Sequence, residues 1–210
     1  MNYTSQYFEE SIQILRLLDQ ETVERAVELL LKVRQESGRI FFLGVGGGAG
    51  HASHAVNDFR KIAGIESYAP TDNVSELTAR INDEGWDTCY KNWLKGSHLR
   101  KQDMVFVFSV GGGDAERNIS VNLVQALQYA KQIGSRICGV VGRDGGFTAK
   151  VADACVVVPV VNNETITPQT ESFQALVWHL LVSHPSLRNA EMKWESMDAE
   201  TEKTNAVVQR

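Results

Sequence analysis

The stretch Ile40-Phe-Phe-Leu-Gly-Val-Gly-Gly-Gly-Ala-Gly-His-Ala-Ser-His-Ala-Val-Asn-Asp58 decides the fold. Ile40 to Leu43 is a short, wholly apolar run of the kind that forms a strand buried on both faces. Five glycines between Gly44 and Gly50 follow, and then a helix carrying His51, His54 and Asp58. Glycines at this place leave backbone N–H groups bare at a helix N-terminus, where the dipole favours an anion. His54 and Asp58 stand four apart, so both project from one helix face. Strand, glycine loop and reactive helix face form one unit.

The same unit recurs downstream. Met104 to Phe108 is a second apolar run, and Ser109-Val110-Gly111-Gly112-Gly113-Asp114 follows it. Asp114 has the residue type of an N-cap, so a helix is expected from Ala115 through Ile119, Leu123, Leu127 and Ala130. Arg136 to Val141 is a third run, with Gly142-Arg143-Asp144-Gly145-Gly146 opening a short helix, and Ala154 to Val161 a fourth. A shorter strand near Glu66 to Ala69 ends at Pro70, and Thr71-Asp72-Asn73 caps a helix beyond it. Thr167-Pro168 begins a last helix reaching about Val182. Apolar strands alternating with helices predict an α/β fold, a three-layer α-β-α sandwich around a central parallel sheet. Ligands of such sheets bind beyond the carboxyl ends of the strands, where both glycine loops lie.

Upstream, Phe8, Ile12 and Leu15, then Val23, Val27 and Leu30, keep a helical period. They predict N-terminal helices broken near Asp19 to Thr22, packed on the sheet or reaching to another subunit. The expected divisions are 1–36 for these helices, 37–183 for the sheet domain and 184–210 for a polar C-terminal tail. With 210 residues, 43% of them hydrophobic and 22% charged, one soluble globular domain is expected. A net charge of -5 and no basic stripe argue against nucleic acid as a partner. No apolar run approaches a membrane span, and the first residues lack the pattern of a signal peptide, so a cytoplasmic protein is expected. Cys89, Cys138 and Cys155 have no zinc-type spacing.

Gly44-Val45-Gly46-Gly47-Gly48-Ala49 fits the G-x-G-x-x-A of a dinucleotide site, with Glu66 near the place of a ribose-binding acid. The matched second loop argues against it. A nicotinamide domain needs one pyrophosphate loop, whereas two loops on one sheet suggest a smaller ligand held from two sides.

At this point the chain resembles the sugar isomerase (SIS) domain family, and within it the phosphoheptose isomerase group. Gly44 to Gly48 is similar to that group's C-G-N-G-G-S loop, and His54 to Asp58 to its H-x-x-x-E helix, with Asp for Glu. Asn82-Asp83-Glu84-Gly85-Trp86 resembles N-D-F-G-F, Ser109 to Asp114 resembles S-T-S-G-N-S, and Gly142 to Gly146 resembles G-K-D-G-G. Glu171 and His179 stand where the group has Gln and His.

The resemblance implies a homotetramer with active sites at subunit contacts and a sugar phosphate substrate, sedoheptulose 7-phosphate being converted to an aldoheptose 7-phosphate. It implies Asp58 and His179 as the acid/base pair, and zinc or another divalent metal on His54, Asp58, Glu171 and His179. Substrate contacts are implied for Val45, Gly46, Gly47, Gly48, Asn82, Asp83, Ser109, Val110, Gly111, Asp114 and Glu171. Moving a carbonyl between adjacent carbons needs a base beside it and an acid or metal at the enediol oxygen. Two His and two carboxylates form a set that zinc accepts. Glu171 and His179, however, lie about 12 Å apart along a helix axis. His51 has no counterpart among the group's ligand positions and is expected to face solvent or substrate.

The phosphate pocket departs from the pattern. Only Ser109 keeps a hydroxyl, while Gly111 and Asp114 fill the other two serine positions, and Val45 and Gly48 replace polar residues of the first loop. Each lost hydroxyl removes a hydrogen bond worth about 1.5–3 kcal/mol to a charged ligand. Asp114 adds a carboxylate near the anion, leaving Arg60, Lys61, Arg117 or Arg143 to supply positive charge. Two readings follow: an isomerase with an altered phosphate pocket and shifted substrate choice, or a non-catalytic SIS module binding a sugar phosphate or a protein.

Overall fold

The structure is a computed structural model that describes residues 2–196; the final part of the polar tail, 197–210, lies outside the described residues. Five parallel strands form one sheet in the order β2-β1-β3-β4-β5. They are β1 (Ile40–Gly44), β2 (Ser67–Tyr68), β3 (Met104–Ser109), β4 (Arg136–Val141) and β5 (Ala154–Val157). Ile40 lies opposite Met104 and Gly44 opposite Phe108, so the two long apolar runs pair along their whole length. The order reverses between β1 and β3, and that switch point puts a crevice at the carboxyl ends of those strands. Both glycine loops border it.

Helices cover both faces. Phe42, Phe106, Phe108, Cys138 and Val140 pack against α2 (Gln20–Gln35), α3 (Gly47–Lys61) and α8 (Ile166–Ser183). Phe41, Leu43, Val105, Val107 and Ile137 meet α5 (Cys89–Gly96) and α6 (Val121–Ile133) on the other side, beside α7 (Gly146–Val151). Alternate residues of each strand thus serve opposite cores, which is why the runs show no polar alternation. Burial of Cys138 and Cys155 raises both thiols above their ordinary range, Cys155 to about 12, and they act as small core groups.

The N-terminal helices divide in role. In α2, Val23, Ala26, Val27, Leu30 and Val33 are buried in the same core as the sheet, so residue 36 marks no structural boundary. In α1 (Tyr3–Leu17) only Glu10 and Ile14 are buried, while Phe8, Ile12 and Leu15 are 63%, 43% and 51% exposed. The helical period of those three residues is confirmed, yet it marks an open face and no contact with the sheet. α1 is held by Ile14, which is buried in the sheet core, and by its polar side. The Glu10 carboxylate accepts from Asn162 Nδ2 (2.6 Å), Gln6 Nε2 (2.9 Å) and the Thr165 hydroxyl (2.8 Å).

Those bonds, led by the one from Asn162, hold the Glu10 carboxyl below its ordinary value of 4.5. A depressed carboxyl stabilises the folded form above the unfolded value and loses that contribution as pH falls through the folded one. Hydrogen exchange should therefore show α1 loosening from the α8 start below about pH 4.5. Glu10→Gln should remove this pH dependence, and unchanged α1 protection in acid would refute the mechanism.

The tail is docked where it is described. Arg34 donates to the carbonyls of Ala63 (3.2 Å), Ser186 (2.9 Å) and Leu187 (2.7 Å), and Leu187 is fully buried. Among the described residues no helix is long and apolar enough to cross a membrane.

Candidate active site

The first loop is tighter than its sequence suggests. Gly46 takes φ 59°, ψ -123°, a region open to glycine alone, and α3 begins at Gly47, so Gly47, Gly48 and Gly50 are helical. A side chain on Gly48 would strike the Phe108 carbonyl, so the first turn of α3 sits directly on the backbone at the end of β3. The phenol of Tyr90 donates to the Gly44 carbonyl (2.6 Å) and anchors the loop from the opposite core.

Beyond the loop, α3 and α8 run side by side and bring three titratable groups together. One ligand atom each of His54, Asp58 and His179 lies within 4.8 Å of the others. Asp58 Oδ2 is 3.4 Å from His54 Nε2 and 3.7 Å from His179 Nε2. The Asp58 carboxylate is nearly buried and its other oxygen accepts from Asn57 Nδ2 (2.9 Å), whereas both imidazoles are about half exposed. His179 Nδ1 lies 2.8 Å from the Ala175 carbonyl, which can only accept, so the proton resides on Nδ1. In the neutral ring the Nε2 lone pair then faces the Asp58 carboxylate, and in the imidazolium an N–H does. Two lone-pair atoms at that spacing need a proton or a cation between them, which is the donor chemistry of a divalent metal site.

An aromatic floor sets the rings. Trp178 lies 5.0 Å from His51, 5.0 Å from His54 and 5.7 Å from Phe108, centroid to centroid. Burial lowers the pKa of His51, with the Glu171 carboxylate opposing and the His54 and His179 rings assisting. His51 is therefore a neutral ring near neutral pH, set between the first loop and the three-residue cluster.

The remaining sequence candidates separate into groups. Glu171 lies outside the cluster: its carboxylate stands over Gly47, at the N-terminus of α3. A carboxylate there occupies the anion-favouring end of the helix. Val45, Gly46, Gly47 and Gly48 form the first loop beside it, with Val45 39% exposed. Asn82 and Asp83 are exposed on α4 (Val74–Glu84), bonded to each other at 2.8 Å. That helix packs by Leu77 and Ile81 on the core opposite α3 and α8, so one chain does not bring the pair to the triad.

The helix expected at Ala115 is a correction. The second loop, Ser109, Val110 and Gly111 onward, continues into an excursion pinned by a two-way backbone pair, Asp114 N–H to the Ile119 carbonyl and Ile119 N–H to the Asp114 carbonyl, both 2.9 Å. α6 starts only at Val121. Asp114 still caps, but it caps the turn inside the excursion, accepting from the N–H groups of Glu116 (2.9 Å) and Arg117 (3.0 Å). The residue that leads into α6 is Ser120, left-handed at φ 50° and with no side-chain cap bond. Its backbone carbonyl lies beside Gly113, and the sequence reading missed its place at the start of α6. The signal was present, since a serine directly precedes the periodic run Val121, Val124, Leu127.

These features are those of a SIS-type α/β protein. The SIS domain family model matches residues 6–142, and the chain belongs to that family. Within it the chain falls in the phosphoheptose isomerase group. It is 32% identical over 149 residues to phosphoheptose isomerase of Rhodospirillum rubrum, covering 69% of this chain and 73% of that one. Lincomycin biosynthesis protein LmbN of Streptomyces lincolnensis is 31% identical over 164 residues, covering 75% of this chain, which spans only 59% of that protein's length. The solved phosphoheptose isomerase GmhA from Neisseria gonorrhoeae superposes with a TM-score of 0.73 at 25% identity, covering 85% of this chain and 94% of that one.

Proposed function

We propose that the protein is an aldose–ketose isomerase acting on a sugar phosphate, with sedoheptulose 7-phosphate as the reference substrate. The observation that carries this reading is the convergence of His54, Asp58 and His179 on one spot between α3 and α8. Kinship with phosphoheptose isomerases supplies the reaction class.

Asp58 and His179 serve as the acid/base pair. One member removes the proton on the carbon beside the carbonyl, and the other protonates the carbonyl oxygen to give the enediol. Reversal at the neighbouring positions returns a proton to the adjacent carbon and removes one from its oxygen, so hydrogen is conserved. The backbone carbonyl of Ala175 keeps His179 in the tautomer whose Nε2 can accept a proton. Trp178 holds both rings in place.

In a zinc-bound form His54, Asp58 and His179 would hold the ion, His179 through the same Nε2 lone pair so that its ring would no longer take a proton, with Glu171 as fourth ligand only after a rearrangement away from Gly47. Bound there, a divalent metal supplies charge stabilisation to the enediol oxygen. The open face of α1, with Tyr3, Phe8, Ile12 and Leu15, supports its role as a self-association surface in the homotetramer of the family. A cytoplasmic setting suits a sugar phosphate substrate.

Purified protein should convert sedoheptulose 7-phosphate to an aldose phosphate, followed by coupled detection of the aldehyde. Elemental analysis should find about one zinc per chain, lost in His54→Ala and after chelation. Protein that turns over no ketose phosphate, with or without added zinc, would sink the isomerase reading.

A further inference from the structure

The triad occupies one end of the crevice between α3 and α8. At the other end, where α3 begins, the chain has placed a negative charge of its own. We infer that Glu171 is a specificity-determining residue: its carboxylate accepts a hydroxyl of the sugar and bars a phosphate or carboxylate from the first loop. The hydroxyl half of this inference rests on the isomerase reading above, whereas the exclusion of anions does not.

Position is the first support. Glu171 reaches from α8 onto the bare Cα of Gly47, and its Cδ lies 2.6 Å from where a Cβ would stand. Only glycine at 47 leaves room for the carboxylate. Gly46 and Gly47 are exposed and Glu171 is half-buried, so a ligand can reach the carboxylate from solvent.

The second support is that the carboxylate is uncommitted. α3 starts without a side-chain cap, and its first N–H groups turn back to the loop. Those of Gly48, Ala49 and Gly50 donate to the carbonyls of Val45 (3.2 Å), Gly46 (3.0 Å) and Gly46 (3.2 Å), and none of them is spent on Glu171. Among the described residues Glu171 has no hydrogen bond and no ion pair within 4 Å. An ionised carboxylate only accepts, so its lone pairs suit a hydroxyl donor.

The third support is the charge around it. His51, one turn further along α3, feels the Glu171 charge but is itself kept neutral by burial. Asp58, the other carboxylate of the crevice, faces the imidazoles of His54 and His179. Among the described residues no lysine or arginine lies within 4 Å of either acid. The positive end of α3 is thus already matched by a full negative charge, and an anion laid on the first loop would meet that charge uncompensated. A neutral polyol meets no such opposition. The part of the substrate that lies against the first loop is therefore its hydroxyl-bearing chain.

The test is calorimetric titration of the full chain with inorganic phosphate and, separately, with neutral sedoheptulose. It compares wild type, Glu171→Gln and the control Glu28→Gln, which removes the same charge from the exposed side of α2. Glu171→Gln should bind phosphate about tenfold or more tightly than wild type and control, and the neutral sugar no more tightly than wild type. Equal phosphate affinity in all three, no phosphate binding in any, or the same gain for both ligands overturns the inference. Zinc content should be the same in all three proteins, and zinc lost from Glu171→Gln alone would put the carboxylate on the metal and overturn it as well. Turnover of sedoheptulose 7-phosphate recorded alongside keeps the two readings apart. A phosphate gain in protein without turnover leaves the exclusion standing and removes the isomerase, and turnover without the gain does the reverse.

Discussion

His179→Ala should lower kcat/KM for sedoheptulose 7-phosphate by about 10²–10⁴-fold, the usual loss on removing a positioned acid or base. The imidazole is about half exposed, and its protein contacts include the Ala175 carbonyl, the Asp58 carboxylate and the His54 and Trp178 rings. Truncation leaves no buried group without a partner, so the fold should persist, as circular dichroism would verify. Asp58→Asn should fall as far, because it keeps the shape and the Asn57 contact while removing the charge between the two rings. The double variant should be little worse than either single one, since groups acting as a unit are strongly non-additive. Retention of more than about a tenth of wild-type turnover in His179→Ala would remove it from the chemistry.

The second large effect lies at the opposite edge of the sheet. Asp103 is fully buried just before β3 and accepts from Arg39 N (2.9 Å), Arg39 Nη2 (2.7 Å) and Arg100 N (2.9 Å). Burial alone would raise its carboxyl, but the Arg39 guanidinium and the two backbone N–H groups outweigh that and hold it below its ordinary value. Asp103→Ala leaves the half-buried Arg39 charge without its counter-ion and should cost about 3–5 kcal/mol. Urea unfolding at fixed protein concentration would read this as a lower midpoint. Asp103→Asn keeps an acceptor oxygen for only one of the two backbone donors, which bond different carboxylate oxygens, so it should recover only part of that cost. With a depressed carboxyl the ion pair contributes fully above the ordinary value and fades as pH falls through the folded one, so the difference between wild type and Asp103→Ala should shrink in acid. A cost below about 1 kcal/mol would mean the pair behaves like a surface ion pair.

How much of this was legible beforehand depended on whether the deciding interaction was local. Ile40 to Leu43 and Met104 to Phe108 announced a doubly covered parallel sheet because both faces of each strand are buried. His54 and Asp58 were legible because an i, i+4 spacing fixes a shared face. His179 reached them only through the packing of α8 on α3, which no local pattern encodes, and family resemblance supplied it. The period of Phe8, Ile12 and Leu15 described an apolar face truthfully but not what covers it. Asp114 illustrates the failure of a local rule: the residue does cap, yet the backbone pair with Ile119 ends the turn before a helix can propagate. Glu171 was grouped with the ligands by its place in the family motif, whereas in the chain its carboxylate rests on the positive end of α3.

That backbone pair between Asp114 and Ile119 has a wider consequence. It fixes the two ends of the excursion to each other, so residues 115–118 hang outside the ladder that joins β3 to α6. Changes in that segment are insulated from the core, and lengthening such a loop adds only a slowly growing closure entropy. The segment is an interchangeable cassette at the mouth of the sheet scaffold. Through it, ligand preference can be redesigned in the laboratory without renegotiating the stability of the sheet.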